Sequence, residues 1–216
     1  MSMGYSDKLT KKFSKVYKEN LFYGTVSKSG NGSDLTQTEV LRLELPILFK
    51  KLEIKSILDL PCGDFYWMSS IVSEDLVYTG ADVVPELISK LNSEYKGKNR
   101  DFLEINIVNE SIKKYDAIFC RDLFVHLSNK DIIKSLKNII NSQSTYLFTT
   151  TFTRSIKNKD LPRFKHGVAW RMLNLRELPW RFPEPMYLIN EKCTEGGGLY
   201  SDKSIGVWKI KDLPKF

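Results

Sequence analysis

From Lys55 onward the chain alternates short apolar runs, residues 56–60, 77–82, 102–106, 116–120 and 146–151, with stretches long enough to hold a helix. Strands this short with connections this long are not hairpin partners. They predict a parallel sheet whose right-handed crossovers cover both of its faces. The rhythm changes after Phe152. Residues 153–185 carry Phe164, Trp170, Trp180, Phe182 and several prolines, too irregular for a crossover helix and closer to an elaborated loop. Residues 186–190 and 204–210 then read as a closing hairpin, with glycines 196–198 in its connection.

Two helices precede this core. Residues 6–21 place Leu9, Phe13, Val16, Tyr17 and Leu21 at helical spacing among lysines, an amphipathic pattern that lies on something. Residues 36–52 put Leu41, Leu45, Leu48 and Leu52 on one face, with Pro46 as a point of kinking. Between them "SKSGNGSD", residues 27–34, is a turn-rich loop that reads equally as a plain connector or as a lid. The 216 residues contain no linker that would split them, so one domain is expected, with residues 1–37 as a helix and lid-like loop and 153–185 as an insertion.

Composition narrows the function. No apolar run approaches the length of a bilayer span, and lysines interrupt the N-terminal stretch where a signal peptide would be apolar, so a cytoplasmic protein is expected. Cys62, Cys120 and Cys193 stand far apart, which suggests neither disulfides nor a metal site. The net charge of +7 is spread along the chain rather than gathered into a patch, so a nucleic-acid partner is not expected. Such a surface equally steers a small phosphorylated or nucleotide-linked molecule.

In doubly wound sheets ligands bind beyond the carboxyl ends of the strands, and here those ends form a series. The first strand closes on Asp59 and Leu60, and Pro61, Cys62 and Gly63 make a turn where the backbone can approach a ligand. A single glycine followed by Phe65, Tyr66 and Trp67 does not fit G-x-G-x-x-G, which disfavours a dinucleotide. The second strand closes on Asp82, with Val83 beside it, a carboxylate able to accept from both hydroxyls of a ribose. The third closes on Asn106 and Ile107, an amide suited to a base edge or to capping a turn, with an apolar neighbour. Arg121, Asp122 and His126 follow the fourth.

With "LDLPCGD", Asp82, Asn106, "CRDLFVHLS" and the closing "SIGVWKI" in place, the chain resembles the class I S-adenosylmethionine-dependent methyltransferases from about residue 36 to its end. Within that family, "SGNGSDLTQT" and "NEKCTEGGGLYSDKSIGVWKI" are similar to bacterial enzymes that modify surface glycans or small molecules. It departs from the family in having one glycine where two or three are usual, and Asn106 where Asp is usual. The resemblance implies a Rossmann-like seven-stranded, mostly parallel sheet with an antiparallel last strand and helices on both faces. It also implies an S-adenosylmethionine site made of Asp59, Cys62, Gly63, Asp82, Val83, Asn106, Ile107 and Arg121.

A sulfonium methyl is intrinsically reactive, so such a protein mainly excludes water and positions a nucleophile. The absence of N-P-P-[YFW] after the fourth strand argues against amino methylation of bases and favours oxygen as the target. For a hydroxyl acceptor, His126 is the candidate base, with Asp122 to orient the imidazole or hold the acceptor. For an already ionised phosphoryl oxygen, no base is needed, and Arg154, Arg163, Lys165 or Arg171 are candidate ligands. Thr151 and Trp170 complete the expected acceptor side. The expected reaction is O-methylation of a sugar, a nucleotide-linked sugar or a phosphoryl-type oxygen, as in surface polysaccharide synthesis, with RNA or protein methylation, or cofactor binding without catalysis, as the alternatives; no residue is assigned to a metal.

Overall fold

The structure, a computed structural model, describes residues 5–161 and 168–216. Strands β1 (Ser56–Asp59), β2 (Val77–Asp82), β3 (Arg100–Glu104), β4 (Ala117–Cys120), β5 (Tyr146–Phe152), β6 (Tyr187–Asn190) and β7 (Lys203–Lys209) form one sheet in the order β3-β2-β1-β4-β5-β7-β6. Strands β1 to β5 pair in parallel, and β7 runs antiparallel to both β5 and β6. The helices are α1 (Tyr5–Lys18), α2 (Glu39–Lys51), α3 (Pro85–Tyr95) and α4 (Asn129–Asn141).

The alternation of side chains along β1 divides the interior in two. Ile57 joins Tyr78, Phe119, Phe148 and Val207 under Leu41, Leu45 and Leu48 of α2 and Leu87 and Leu91 of α3. Its neighbour Leu58 points the other way, into Ala81, Ile118, Leu147 and Trp208 under Ile132, Leu136 and Ile139 of α4. Local chemistry starts the helices. Pro85 opens α3 where a missing N–H costs nothing. Ser128 caps α4, its Oγ accepting from the Asp131 N–H at 3.2 Å and donating to Asp131 Oδ2 at 2.6 Å.

The predicted alternation of strand and helix holds for two crossovers, β2-α3-β3 and β4-α4-β5, and fails for the other two. Between β1 and β2 there is a single 3-10 turn, Met68–Ser70. Buried Phe65, Trp67 and Met68 fill the volume that a crossover helix would occupy. Between β3 and β4 buried Ile107, Val108, Ile112 and Tyr115 do the same on the opposite face. Strand β3 also lies earlier than the predicted 102–106, so Asn106 stands in the loop beyond it. Helix α1 stops at Lys18, short of the predicted residue 21, and α2 is Glu39–Lys51.

The described part of residues 153–185 is irregular, as expected, yet it is packed. Leu173, Leu175, Trp180 and Phe182 are buried in the core beneath α4, and the Trp208 Nε1–H donates to the Pro183 carbonyl at 2.8 Å. This segment covers the sheet as a helix would. Phe164, Arg163 and Lys165 lie outside the described residues.

Candidate active site

A cavity of about 490 Å³ opens at the carboxyl edge of the parallel strands, where β1 and β4 lie side by side and the strand order reverses. The loops after β1, β2, β3 and β4 all reach it, and α1 with residues 28–33 closes over it. It therefore lies at the switch point where this topology leaves a crevice.

On the β1-β2-β3 side the cavity is lined by Asp59, Cys62, Gly63, Asp82, Val83, Asn106 and Ile107. Asp82 Oδ1 accepts the Val84 N–H at 3.1 Å. Burial pushes this carboxyl up to about 6, against the pull of the Val84, Val83 and Gly63 backbone N–H groups. Asp59 is buried at the floor, where its Oδ2 accepts from the Tyr78 hydroxyl at 2.6 Å. Burial pushes it up to about 7, although that bond and the Arg121 charge act in the other direction. Asn106 does the work of a loop cap: its Oδ1 accepts the Val108 N–H at 3.2 Å and its own N–H donates to Glu110 at 3.0 Å. Gly63 has φ 53°, and a Cβ there would stand 2.2 Å from Ser29 Oγ. Its missing side chain is thus required by residues 27–34 resting on it as well as by the turn.

On the β4-β5-β7 side four charges meet, three of them buried (Arg121, Glu191 and Lys203) and the fourth, Asp122, partly exposed. Arg121 donates to Glu191 through Nε at 3.3 and 3.2 Å and through Nη2 at 2.6 Å, and its Nη2 also donates to the Gly32 carbonyl at 2.9 Å. Its guanidinium carbon lies 5.8 Å from the centre of the Trp67 ring. Lys203 Nζ lies 2.6 Å from Asp122 Oδ2 and 3.4 Å from Glu191 Oε2. Asp122 has φ 57°, a left-handed conformation that Asp tolerates better than most residues. Thr150 secures it, accepting its N–H at 2.8 Å and donating to Oδ1 at 3.2 Å. Lys203 and Arg121 hold the Asp122 carboxyl well below the usual range, although burial opposes them.

His126 stands apart from this network. Its Nδ1 is 2.8 Å from the Ala169 carbonyl, which can only accept, so Nδ1 carries the hydrogen and Nε2 keeps its lone pair. The rings of Phe22 and Phe13 lie 5.4 and 6.4 Å from the imidazole. Burial pushes its pKa down to about 4, outweighing the Ala169 bond and the Asp122 charge.

The arrangement corrects several expectations. The Ala169 carbonyl, not Asp122, orients His126. Arg121 lines the cavity, but its Nε and Nη2 donors are taken by Glu191 and Gly32 and its Nη1 lies 3.4 Å from Asp122, so it ties these loops together as well as bordering the space. Of the expected acceptor residues that the structure describes, only Trp170 lines the cavity. Thr151 is buried and accepts the Leu175 N–H at 3.1 Å. Arg154 pairs with Asp202 and donates to the Leu199 carbonyl at 2.6 Å. Arg171 donates to the Leu127 and Lys159 carbonyls at 2.6 and 2.9 Å and to Asn129 at 2.9 Å. A guanidinium in an irregular segment is as useful for tying loops together as for binding an anion, and these two tie loops.

Sequence reasoning missed Glu191, Lys203 and Asp64. The first two stand in "NEKCTE" and "SDKSIG", which carried the resemblance without any partner being assigned to their charges. Among the described residues no cluster of three His, Cys, Asp or Glu side chains is arranged to hold a metal. No described helix is long and apolar enough to cross a membrane.

The fold is that of the class I methyltransferases. No protein-family profile and no curated relative matches the chain. Among solved structures, it is similar to the Burkholderia thailandensis 1,6-didemethyltoxoflavin-N1-methyltransferase bound to 1,6-didemethyltoxoflavin and S-adenosylhomocysteine, with TM-score 0.65 and 16% identity over 95% of this chain and 88% of that one. It is also similar to the PH0226 protein of Pyrococcus horikoshii OT3, with TM-score 0.56 and 16% identity over 90% and 98%. The DhpI complex with SAH follows, with TM-score 0.52 and 13% identity over 84% and 87%.

Proposed function

We propose that this chain is an S-adenosylmethionine-dependent methyltransferase that acts on an oxygen of a small acceptor. The observation that carries this reading is the sharing of one cavity by the Asp82 carboxylate, the Gly63 turn and the neutral imidazole of His126. The donor set fits an adenosine: a carboxylate for the ribose diol, and Val83 and Ile107 as apolar neighbours of a base. The cavity volume falls within the ~300–1,000 Å³ typical of small-molecule sites. When bound, S-adenosylmethionine supplies an electrophilic methyl and leaves as a neutral thioether.

The chain's own residues supply the rest. If the donor lies along β1, β2 and β3, the acceptor lies toward β4, where His126, Trp170, Tyr200 and Lys203 line the cavity. His126 is neutral at pH 7, with a lone pair on Nε2 that would accept the proton of an acceptor hydroxyl. The phenyl rings of Phe13 and Phe22 exclude water from that step. A base is useful to a hydroxyl and redundant for an ionised phosphoryl oxygen, and Arg154 and Arg171 are engaged elsewhere. The acceptor proposed is accordingly a hydroxyl, such as that of a sugar or nucleotide-linked sugar.

The test is Asp82→Ala. Loss of a pair of charge-assisted hydrogen bonds, each worth at most roughly 1.5–3 kcal/mol, should weaken S-adenosylhomocysteine binding by about tenfold or more in a variant that still folds. Unchanged affinity would remove Asp82 from the site and the proposal with it.

A further inference from the structure

We propose that residues 27–34 are a strap held shut over the cavity by two latches, Asp64 on the donor side and Arg121 on the acceptor side, and that ligands exchange only when the strap releases. The ligand-exchange half rests on the methyltransferase reading. The latches themselves do not.

The Asp64 latch gathers three strap donors on one carboxylate. Its Oδ1 accepts from the Ser27 and Ser29 hydroxyls at 3.0 and 3.3 Å, and its Oδ2 accepts the Lys28 N–H at 2.9 Å. In return the Asp64 N–H donates to Ser29 Oγ at 3.0 Å. Asp64 directly follows Gly63, so the strap is fastened to the same turn that borders the donor site, and Ser29 lies against Gly63 itself. At the other end the Arg121 guanidinium donates to the Gly32 carbonyl at 2.9 Å, while Glu191 and Asp122 hold it in place. Closure therefore reaches both halves of the cavity through one short segment.

The hold is polar. Within 27–34 the buried residues are Ser27 and Gly30, and the segment has no large apolar side chain to anchor it in the core. Hydrogen bonds to a charged partner close such a segment firmly, and they are replaced by water when it opens, so release is local and does not require unfolding of the sheet. A connector between α1 and α2 would need no bonds to opposite sides of a cavity. This segment has them on both sides and lines the space between, from Lys28 to Ser33.

The experiment is limited trypsinolysis of the intact chain, read by mass spectrometry at the Lys28–Ser29 bond, together with stopped-flow dissociation of S-adenosylhomocysteine. Asp64→Ala and the double variant Ser27→Ala/Ser29→Ala should each raise cleavage at Lys28 by about tenfold or more, because cleavage reports the open population. Each should speed ligand dissociation, and saturating S-adenosylhomocysteine should protect the unaltered chain. Equal cleavage at Lys28 in all three proteins would show a fixed connector and overturn the latch. Faster cleavage with unchanged dissociation would overturn the exchange route. Failure of the unaltered chain to bind S-adenosylhomocysteine would overturn the methyltransferase reading and the exchange route with it, while the cleavage rates would still decide the latch.

Discussion

Asp82 and His126 are both driven toward their neutral forms by burial, and each carries a pH dependence of its own. The Asp82 carboxyl sits at about 6. Ribose hydroxyls donate to its ionised form, so affinity for S-adenosylhomocysteine should rise between pH 5 and 7 in calorimetry, and Asp82→Asn should flatten that rise. A profile identical in the two proteins would contradict the assignment. His126 sits at about 4 in the folded chain, below its unfolded value. Between those values the unfolded chain binds the extra proton, so folding stability falls as pH falls from about 6.5 toward 4, by up to about 3 kcal/mol. The imidazole resonance should titrate near pH 4, and His126→Gln should be less sensitive to acid in urea unfolding. A midpoint near 6.5 would place the ring in water. That both residues line the cavity was legible, because position after a strand sufficed to place them there. The partners of Arg121 and Asp122 were not: Glu191 and Lys203 lie 70 and 81 residues away, and nothing local marks such pairs.

At the scale of elements, all seven strands were legible, because short apolar runs bounded by turn residues have few other solutions. The missing crossover helices were not. "FYWM" after Gly63 has the composition of a helix face, but its bulk is used to fill a core without helical hydrogen bonds. Helix α2 offers an internal test of which face packs. Leu45 is 0% exposed and Leu43 is 66% exposed. Leu45→Ala should cost about 2–5 kcal/mol in urea unfolding, whereas Leu43→Ala should stay within about 0.5 kcal/mol. Similar losses at both positions would mean that the exposed face is also covered.

For the whole molecule, the strand order and its single antiparallel strand decide where a ligand can lie, and every loop that the sequence marked for the donor reaches that crevice. The acceptor side was harder to read, since Arg154 and Arg171 carry the same charge whether they hold a phosphate or a carbonyl. The central claim is therefore tested at the donor. Calorimetric titration of the chain with S-adenosylmethionine and S-adenosylhomocysteine, with a nicotinamide dinucleotide as control, should give micromolar, one-to-one binding of both sulfur nucleosides and none of the dinucleotide. A folded chain that binds neither sulfur nucleoside, or that prefers the dinucleotide, would contradict the account.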